Sequence, residues 1–226
     1  MQNLILWDID GTLVHSGGAG RAALEAALKT VFGHSGSLAG IEFAGRMDSW
    51  IIRQIFSRFG IEHSPRNVAS YVEGYISALP GILATSSARV LPGVADILAG
   101  SAMRPNVAHG LLTGNLRRGA QAKLALHGLW DLFPVGAFSD DSDVRNELGP
   151  HALRRARRHW GVDFPAERVW VVGDTPHDIR CARAFGACVL AVATGGSARS
   201  ELAAHRPDAV LENLADTAAF WLAIGL

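Results

Sequence analysis

The chain has 226 residues, 49% of them hydrophobic, which is enough to bury one large domain or a core with a small insert and excludes a disordered or fibrous protein. Its 21 Lys+Arg balance 21 Asp+Glu, so no overall charge field draws it to nucleic acid or an anionic membrane, and a charged partner must be recognised locally. The N-terminus lacks a basic segment, and no apolar stretch approaches the ~20 residues of a membrane span. Cys181 and Cys188 form neither a C-x-x-C pair nor a disulfide framework. A cytoplasmic protein with free thiols is expected.

In chain order, the first element is an apolar run over residues 4–9, rich in residues that favour a buried strand. From residue 14 to residue 87 no convincing strand follows. Three amphipathic stretches occupy that region instead, at 21–32, 48–59 and 65–79, flanked by Gly17-Gly18 and by Leu91-Pro92-Gly93. Strands then return at 107–112, 135–138, 169–172 and 188–192, separated by helical patterns at 116–127, 150–160 and 176–185. Continuously apolar strands alternating with helices indicate an α/β fold, a Rossmann-like parallel sheet with helices on both faces. The expected organisation is an α/β core from residues 1–14 and 88–226, with a small all-helical insert over 15–87.

Ligands of open parallel sheets bind outside the carboxyl ends of the strands, so the residues that end each strand carry the chemistry. The first strand ends in Asp8 and Asp10, the second in Thr113-Gly114-Asn115, and a later one in Gly173-Asp174-Thr175-Pro176-His177-Asp178. Carboxylates gathered on one edge repel one another unless they share a cation or a proton. A set of hard oxygen ligands suits Mg²⁺, which leaves room for substrate phosphate oxygens. Ordinary structural roles compete residue by residue. Asp10 before Gly11 also reads as turn chemistry, Asn115 as a helix cap, and Thr175-x-x-Asp178 as a capping box with Pro176 in the first helical position.

Together these motifs resemble the haloacid dehalogenase superfamily. Its D-x-D-G-T-[LV] hallmark is similar to Asp8-Ile9-Asp10-Gly11-Thr12-Leu13, its second motif to Leu111-Leu112-Thr113-Gly114-Asn115, and its fourth to Gly173-Asp174-Thr175-Pro176-His177-Asp178. The Thr-Pro version of the fourth motif resembles members like phosphoglycolate phosphatase. The third motif, usually a lysine followed closely by proline, departs: residues 139–148 contain no lysine. Arg145 is the candidate cation, with Arg154 the weaker alternative, and an arginine fork differs in reach from an ammonium.

The resemblance implies roles. Asp8 would attack phosphorus and Asp10 would protonate the leaving alcohol, then deprotonate the hydrolytic water. Mg²⁺ would be held by Asp8, the Asp10 backbone carbonyl and Asp174, with Asp178 directly or through water. Thr113, the Gly114 N–H, Asn115 and Arg145 would hold phosphate oxygens. Asp10 and Asp174 argue for phosphate chemistry rather than dehalogenation. The helical insert resembles the small cap of phosphoglycolate phosphatases and phosphomutases, which implies a small phosphorylated metabolite as substrate.

Within the insert, Arg46 of Gly45-Arg46-Met47-Asp48 is a candidate for a substrate carboxylate, although a solvated Arg46 beside an N-cap Asp48 is equally compatible. Arg21 and His15 are weaker candidates of the same kind. The basic run 154–159 reads as a solvated helix face rather than a nucleic-acid site. The expected function is a Mg²⁺-dependent phosphatase. The alternatives are a phosphomutase of the β-phosphoglucomutase type and, because the third-motif lysine is missing, a weakly catalytic phosphate-binding module. Oligomeric state is not written in the sequence.

Overall fold

The computed structural model describes residues 2–226. The first strand, β1 (Asn3–Trp7), is buried along its whole length. Successive strand residues point to opposite faces, and the burial follows: Ile5 and Trp7 enter one apolar cluster, Leu4 and Leu6 the other. Each such aliphatic side chain withdrawn from water contributes about 1.5–3 kcal/mol. Both faces must therefore be covered by helices. After the two-residue β2 (Val14–His15) come α1 (Ala19–Phe32), α2 (Asp48–Phe59) and α3 (Pro65–Thr85), then β3 (Arg89–Val90).

The remainder alternates: α4 (Val94–Gly100), β4 (Val107–Leu112), α5 (Arg117–Ala125), β5 (Val135–Ala137), α6 (Leu148–Trp160), β6 (Val169–Gly173), α7 (Pro176–Ala184), β7 (Cys188–Val192), α8 (Arg199–Ala204), β8 (Ala209–Leu211) and α9 (Thr217–Ala223). Six strands form one parallel sheet in the order β5-β4-β1-β6-β7-β8. Side chains of α4, α5 and α9 cover one face, and those of α6, α7 and α8 the other. Strand order reverses direction at β1, where β4 lies on one side and β6 on the other, and a crevice opens at such a switch point.

Helices α1, α2 and α3 close a third apolar cluster of their own, with Leu24 and Leu28, Ile51, Ile55 and Phe56, and Tyr71, Tyr75, Leu79 and Leu83 at its centre. The four α3 residues recur every fourth position, and this stripe explains why α3 continues through Pro80 to Thr85 rather than ending near residue 79. Packing of Leu83 outweighs the proline's missing hydrogen bond. The connections into and out of this helical unit run side by side: Val14 pairs with Val90 and His15 with Arg89, antiparallel.

Most elements lie where the apolar patterning places them. The additions are the two-residue β2 and β3, α4, α8, α9 and the edge strand β8, all of seven residues or fewer, too short to show a period against their flanks.

Candidate active site

The crevice at the switch point receives the ends of β1, β4 and β6. Beyond Trp7 the chain keeps one more sheet bond, Asp8 N–H to Val172 O at 2.9 Å, and then turns back on itself, with Leu13 N–H and Val14 N–H both donating to Ile9 O. Gly11 sits in that turn at φ 83°. A side chain there would be strained by its backbone, and its Cβ would lie 2.5 Å from Asp174 Oδ2. A Cβ on Gly195 would strike the same oxygen at 1.6 Å. Two glycines thus let Asp174 lie against backbone, where Thr12 Oγ1 donates to its Oδ1 at 3.1 Å.

Asp8, Asp174 and Asp178 are all buried, and one oxygen from each lies within 4.8 Å of the others. The Arg145 guanidinium faces this group, with Nη2 paired to Asp178 Oδ1 and 3.3 Å from Asp8 Oδ1, and Nη1 donating to the Gly45 carbonyl at 3.3 Å. Its Nε has no hydrogen-bond partner among the described residues. The nearby Thr113 hydroxyl pulls the Asp8 carboxyl down. One arginine does not balance three carboxylates. Burial pushes the Asp8 carboxyl up to about 6 against the pull of Arg145, with Asp178 adding to the rise. Burial, Asp178 and Asp8 push Asp174 well above the carboxylate range.

Asp178 is otherwise engaged. Its Oδ2 accepts from Thr175 N–H at 3.0 Å and from Thr175 Oγ1 at 2.7 Å. The capping box of α7 is therefore present, and both of its oxygens are already bonded.

Asp10 belongs to a separate network. The Ser16 hydroxyl donates to its Oδ1, while Oδ2 accepts from Asn115 Nδ2 at 3.0 Å and from Lys123 Nζ at 2.5 Å. Lys123 Nζ also reaches Asn115 Oδ1 at 2.5 Å, and Asn115 Nδ2 bonds Thr113 Oγ1 at 2.9 Å. Burial works to raise the Asp10 carboxyl, but Lys123, Ser16 and Asn115 outweigh it and hold the group below the usual carboxylate range. The sequence reading missed Lys123. The signal was available, because Gly119, Ala120, Lys123 and Leu124 form the buried face of α5, and an ammonium on a buried face needs an anionic partner.

The helical unit docks on the same strand ends. Asp48 N–H donates to Gly114 O at 2.7 Å, Leu116 N–H donates to Asp48 Oδ2 at 2.8 Å, and Ser49 N–H donates to Ser139 Oγ at 3.1 Å. A Cβ on Gly114 would approach Arg46 O to 2.3 Å, so this contact requires glycine. Burial raises the Asp48 carboxyl to about 6 despite Lys123 nearby.

Between the helical unit and the sheet lies a cavity of about 430 Å³, with Asp8, Asp10, Asp174, Arg145 and Lys123 on its floor and Phe43 on its wall. Arg46 and Arg21 line it too, but neither is unengaged. Arg46 pairs with Glu42 and its guanidinium lies 4.5 Å over Trp50, while Arg21 reaches Leu38 O at 3.3 Å and lies 4.4 Å over Phe43. His15 is exposed at the rim and accepts from Gly17 N–H at 3.1 Å. Arg154 bonds His151 on the α6 surface, and in the same basic run Arg155 pairs with Asp141 and Arg157 with Asp163.

The model of the haloacid dehalogenase-like hydrolases matches residues 5–183. A phosphoglycolate phosphatase of Synechococcus elongatus is 31% identical over 212 residues, which is 94% of this chain and 93% of that one. Two solved structures share the fold. CbbY from Rhodobacter sphaeroides, solved with phosphate, has a TM-score of 0.68 at 20% identity and covers 96% of each chain. A Bacteroides vulgatus protein described provisionally as a β-phosphoglucomutase has a TM-score of 0.71 at 17% identity, covering 99% of this chain and 89% of that one. No described helix is long and apolar enough to cross a membrane.

Proposed function

The chain belongs to the haloacid dehalogenase-like hydrolases, and from that premise we propose that it is a Mg²⁺-dependent phosphatase of small phosphomonoesters, with phosphoglycolate the first substrate to try. The observation that carries this reading is the division of the strand-end acids. Asp8 lies among carboxylates facing one arginine, whereas Asp10 is held apart by Lys123. Two carboxylates two residues apart are thereby suited to different work.

The acid cluster fits a divalent cation. Three buried carboxylates bring oxygens within 4.8 Å of one another, and burial, with the neighbouring carboxylates adding to it, pushes two of them toward protonation. Asp8, Asp174 and the Asp10 carbonyl would hold Mg²⁺, with Asp178 behind them, its own oxygens bonded to Arg145 and Thr175. When bound, the ion would lessen the repulsion between an anionic nucleophile and an anionic phosphate.

Asp8 would form a bond from a carboxylate oxygen to phosphorus as the bond from phosphorus to the alcohol oxygen breaks, giving an aspartyl-phosphate and an alcohol that takes its proton from Asp10. Asp10 would then accept a proton from the water that attacks phosphorus, releasing phosphate and free Asp8. Arg145, Thr113 and the Gly114 N–H would hold the equatorial oxygens, on which charge accumulates during phosphoryl transfer. Asn115 would act through Asp10 and Thr113, to which it is bonded. The helical unit would serve as the cap, its Gly45–Asp48 segment shielding the site from bulk water. Arg46 would meet a substrate carboxylate only by sharing its guanidinium with Glu42.

A second reading, phosphomutase transfer, is favoured by the cavity. At about 430 Å³ it exceeds the volume of a two-carbon ester and admits a phosphosugar. Phosphate release from a metabolite panel with Mg²⁺ decides between them. Release that needs Mg²⁺ and disappears in Asp8→Asn supports the phosphatase. Conversion of glucose 1-phosphate to glucose 6-phosphate without free phosphate supports the mutase. Full turnover by Asp8→Asn would overturn both.

A further inference from the structure

Lys123 lies outside every sequence motif described above, yet its side chain is only 7% exposed and ends on the cavity floor. Its ammonium bonds Asp10 Oδ2 and Asn115 Oδ1, both at 2.5 Å, while Asn115 Nδ2 bonds the same Asp10 oxygen at 3.0 Å. Lysine and asparagine thus form a closed triangle around one oxygen of the carboxylate. Ser16 occupies a site on the other oxygen. An ionised carboxylate has about four lone-pair sites. Three are taken by donors from three different segments, and the Asp10 side chain, 39% exposed toward the cavity, keeps one for the reacting partner.

From this geometry we infer that Lys123 is a positioning residue that fixes the rotation of the Asp10 carboxyl so that its one remaining site, which carries the proton to be delivered when the acid is loaded, faces the oxygen leaving phosphorus. This inference rests on the phosphatase reading, in which Asp10 passes a proton to that oxygen as the bond to phosphorus breaks. The physical need is plain. The terminal torsion of an aspartate is broad and roughly two-fold, so an unpinned Asp10 would spend most of its time misaligned, and a displacement of about 1 Å in a reacting group costs on the order of 10²-fold in rate. A lysine present only to neutralise a buried charge would not need the second anchor on Asn115, which ties the ammonium to the strand end that also carries Thr113.

The test compares two leaving groups in single turnover with the full-length enzyme and Mg²⁺, reading release of the alcohol. An alkyl phosphate needs protonation of its leaving oxygen; p-nitrophenyl phosphate departs as a stable phenolate. Lys123→Met is expected to slow alkyl alcohol release on the order of 10²-fold and nitrophenolate release by less than about 5-fold, with KM little changed. Lys123→Arg keeps the charge with a different reach and should slow the alkyl ester by about 10-fold while sparing the aryl ester. It carries the test should Lys123→Met fail to fold. Equal losses on both esters would overturn the inference and leave Lys123 a structural counterion. Asp10→Asn separates this failure from that of the underlying reading. If Asp10→Asn also lacks a preference between the esters, the acid role of Asp10 falls; if it shows one and the Lys123 variants do not, the positioning role alone falls.

Discussion

Asp8 and Asp10 are two residues apart, yet each faces its own buried cation, and the two pairs are built differently. Asp8 has a side chain 6% exposed and shares Arg145 with Asp178, whereas Asp10 is 39% exposed and holds Lys123 directly. Burial, with Asp178 adding to it, pushes Asp8 up to about 6 against the pull of Arg145; Lys123, Ser16 and Asn115 outweigh burial at Asp10 and hold it low. Their environments, rather than their chemistry, make one carboxylate a member of a crowded acid cluster and the other a carboxylate held in one orientation by Lys123, Asn115 and Ser16.

The sharpest way to break this contrast is to remove each cation in turn. Arg145→Met leaves the buried Asp8 and Asp178 without their cation, and urea unfolding of the metal-free protein should show a loss of about 3–5 kcal/mol. A loss below about 1 kcal/mol would mean the carboxylates are protonated or hydrated already. The same measurement on Asp48→Asn tests a carboxylate on the Asp10 side that behaves like Asp8. Its folded value, about 6, lies above the ordinary ~4, so between those values the folded protein holds a proton that the unfolded chain has lost. That contribution is fully present below pH ~4 and disappears as the pH rises through 6, about 3 kcal/mol in all. Asp48→Asn should flatten this part of the pH dependence, and an unchanged slope would remove Asp48 as its source.

Mg²⁺ should sharpen the division between the two sides. At a hundredfold excess over its Kd it should add about 2.7 kcal/mol to stability. Asp174→Asn should abolish the gain, while Asp10→Asn should keep it, since only the backbone carbonyl of residue 10 faces the ion in the proposed arrangement. Loss of the gain in Asp10→Asn would put that side chain among the ligands. The smallest effect is expected for Lys123→Met, about 1–2 kcal/mol of stability, because Asp10 remains open to the cavity and can be hydrated. A cost equal to that of Arg145→Met would erase the contrast.

How much of this was legible in the chain differs between the two sides in the same way. Arg145 could be singled out because residues 139–148 contain no other cation and follow a strand end. Asp8, Thr113 and Asp174 announce themselves as polar residues closing apolar runs. Lys123 has no such position: it lies eight residues past Asn115, in the middle of α5, and only its place on the buried face of that helix marks it. Asp48 reads as an N-cap, but the cap of α2 is Met47, and the Asp48 carboxylate instead accepts a bond from Leu116 on another element, which local spacing cannot express. The sheet was legible because parallel strands are apolar throughout. The edge strand β8 and the short helices α4, α8 and α9 were not, because none repeats its pattern.

The pairing of β2 with β3 has a consequence for how such a chain can change. His15 and Arg89 stand opposite each other, so the segment between them leaves and re-enters the sheet domain at points about 5 Å apart. It is an excursion with a closed mouth. A segment of that kind can be lengthened, shortened or exchanged for another fold without moving any strand that carries Asp8, Thr113 or Asp174. Alteration of the segment that would choose the bearer of phosphate is therefore limited by what it touches, the Gly45, Arg46 and Asp48 contacts to Arg145, Gly114 and Leu116, rather than by the path of the chain.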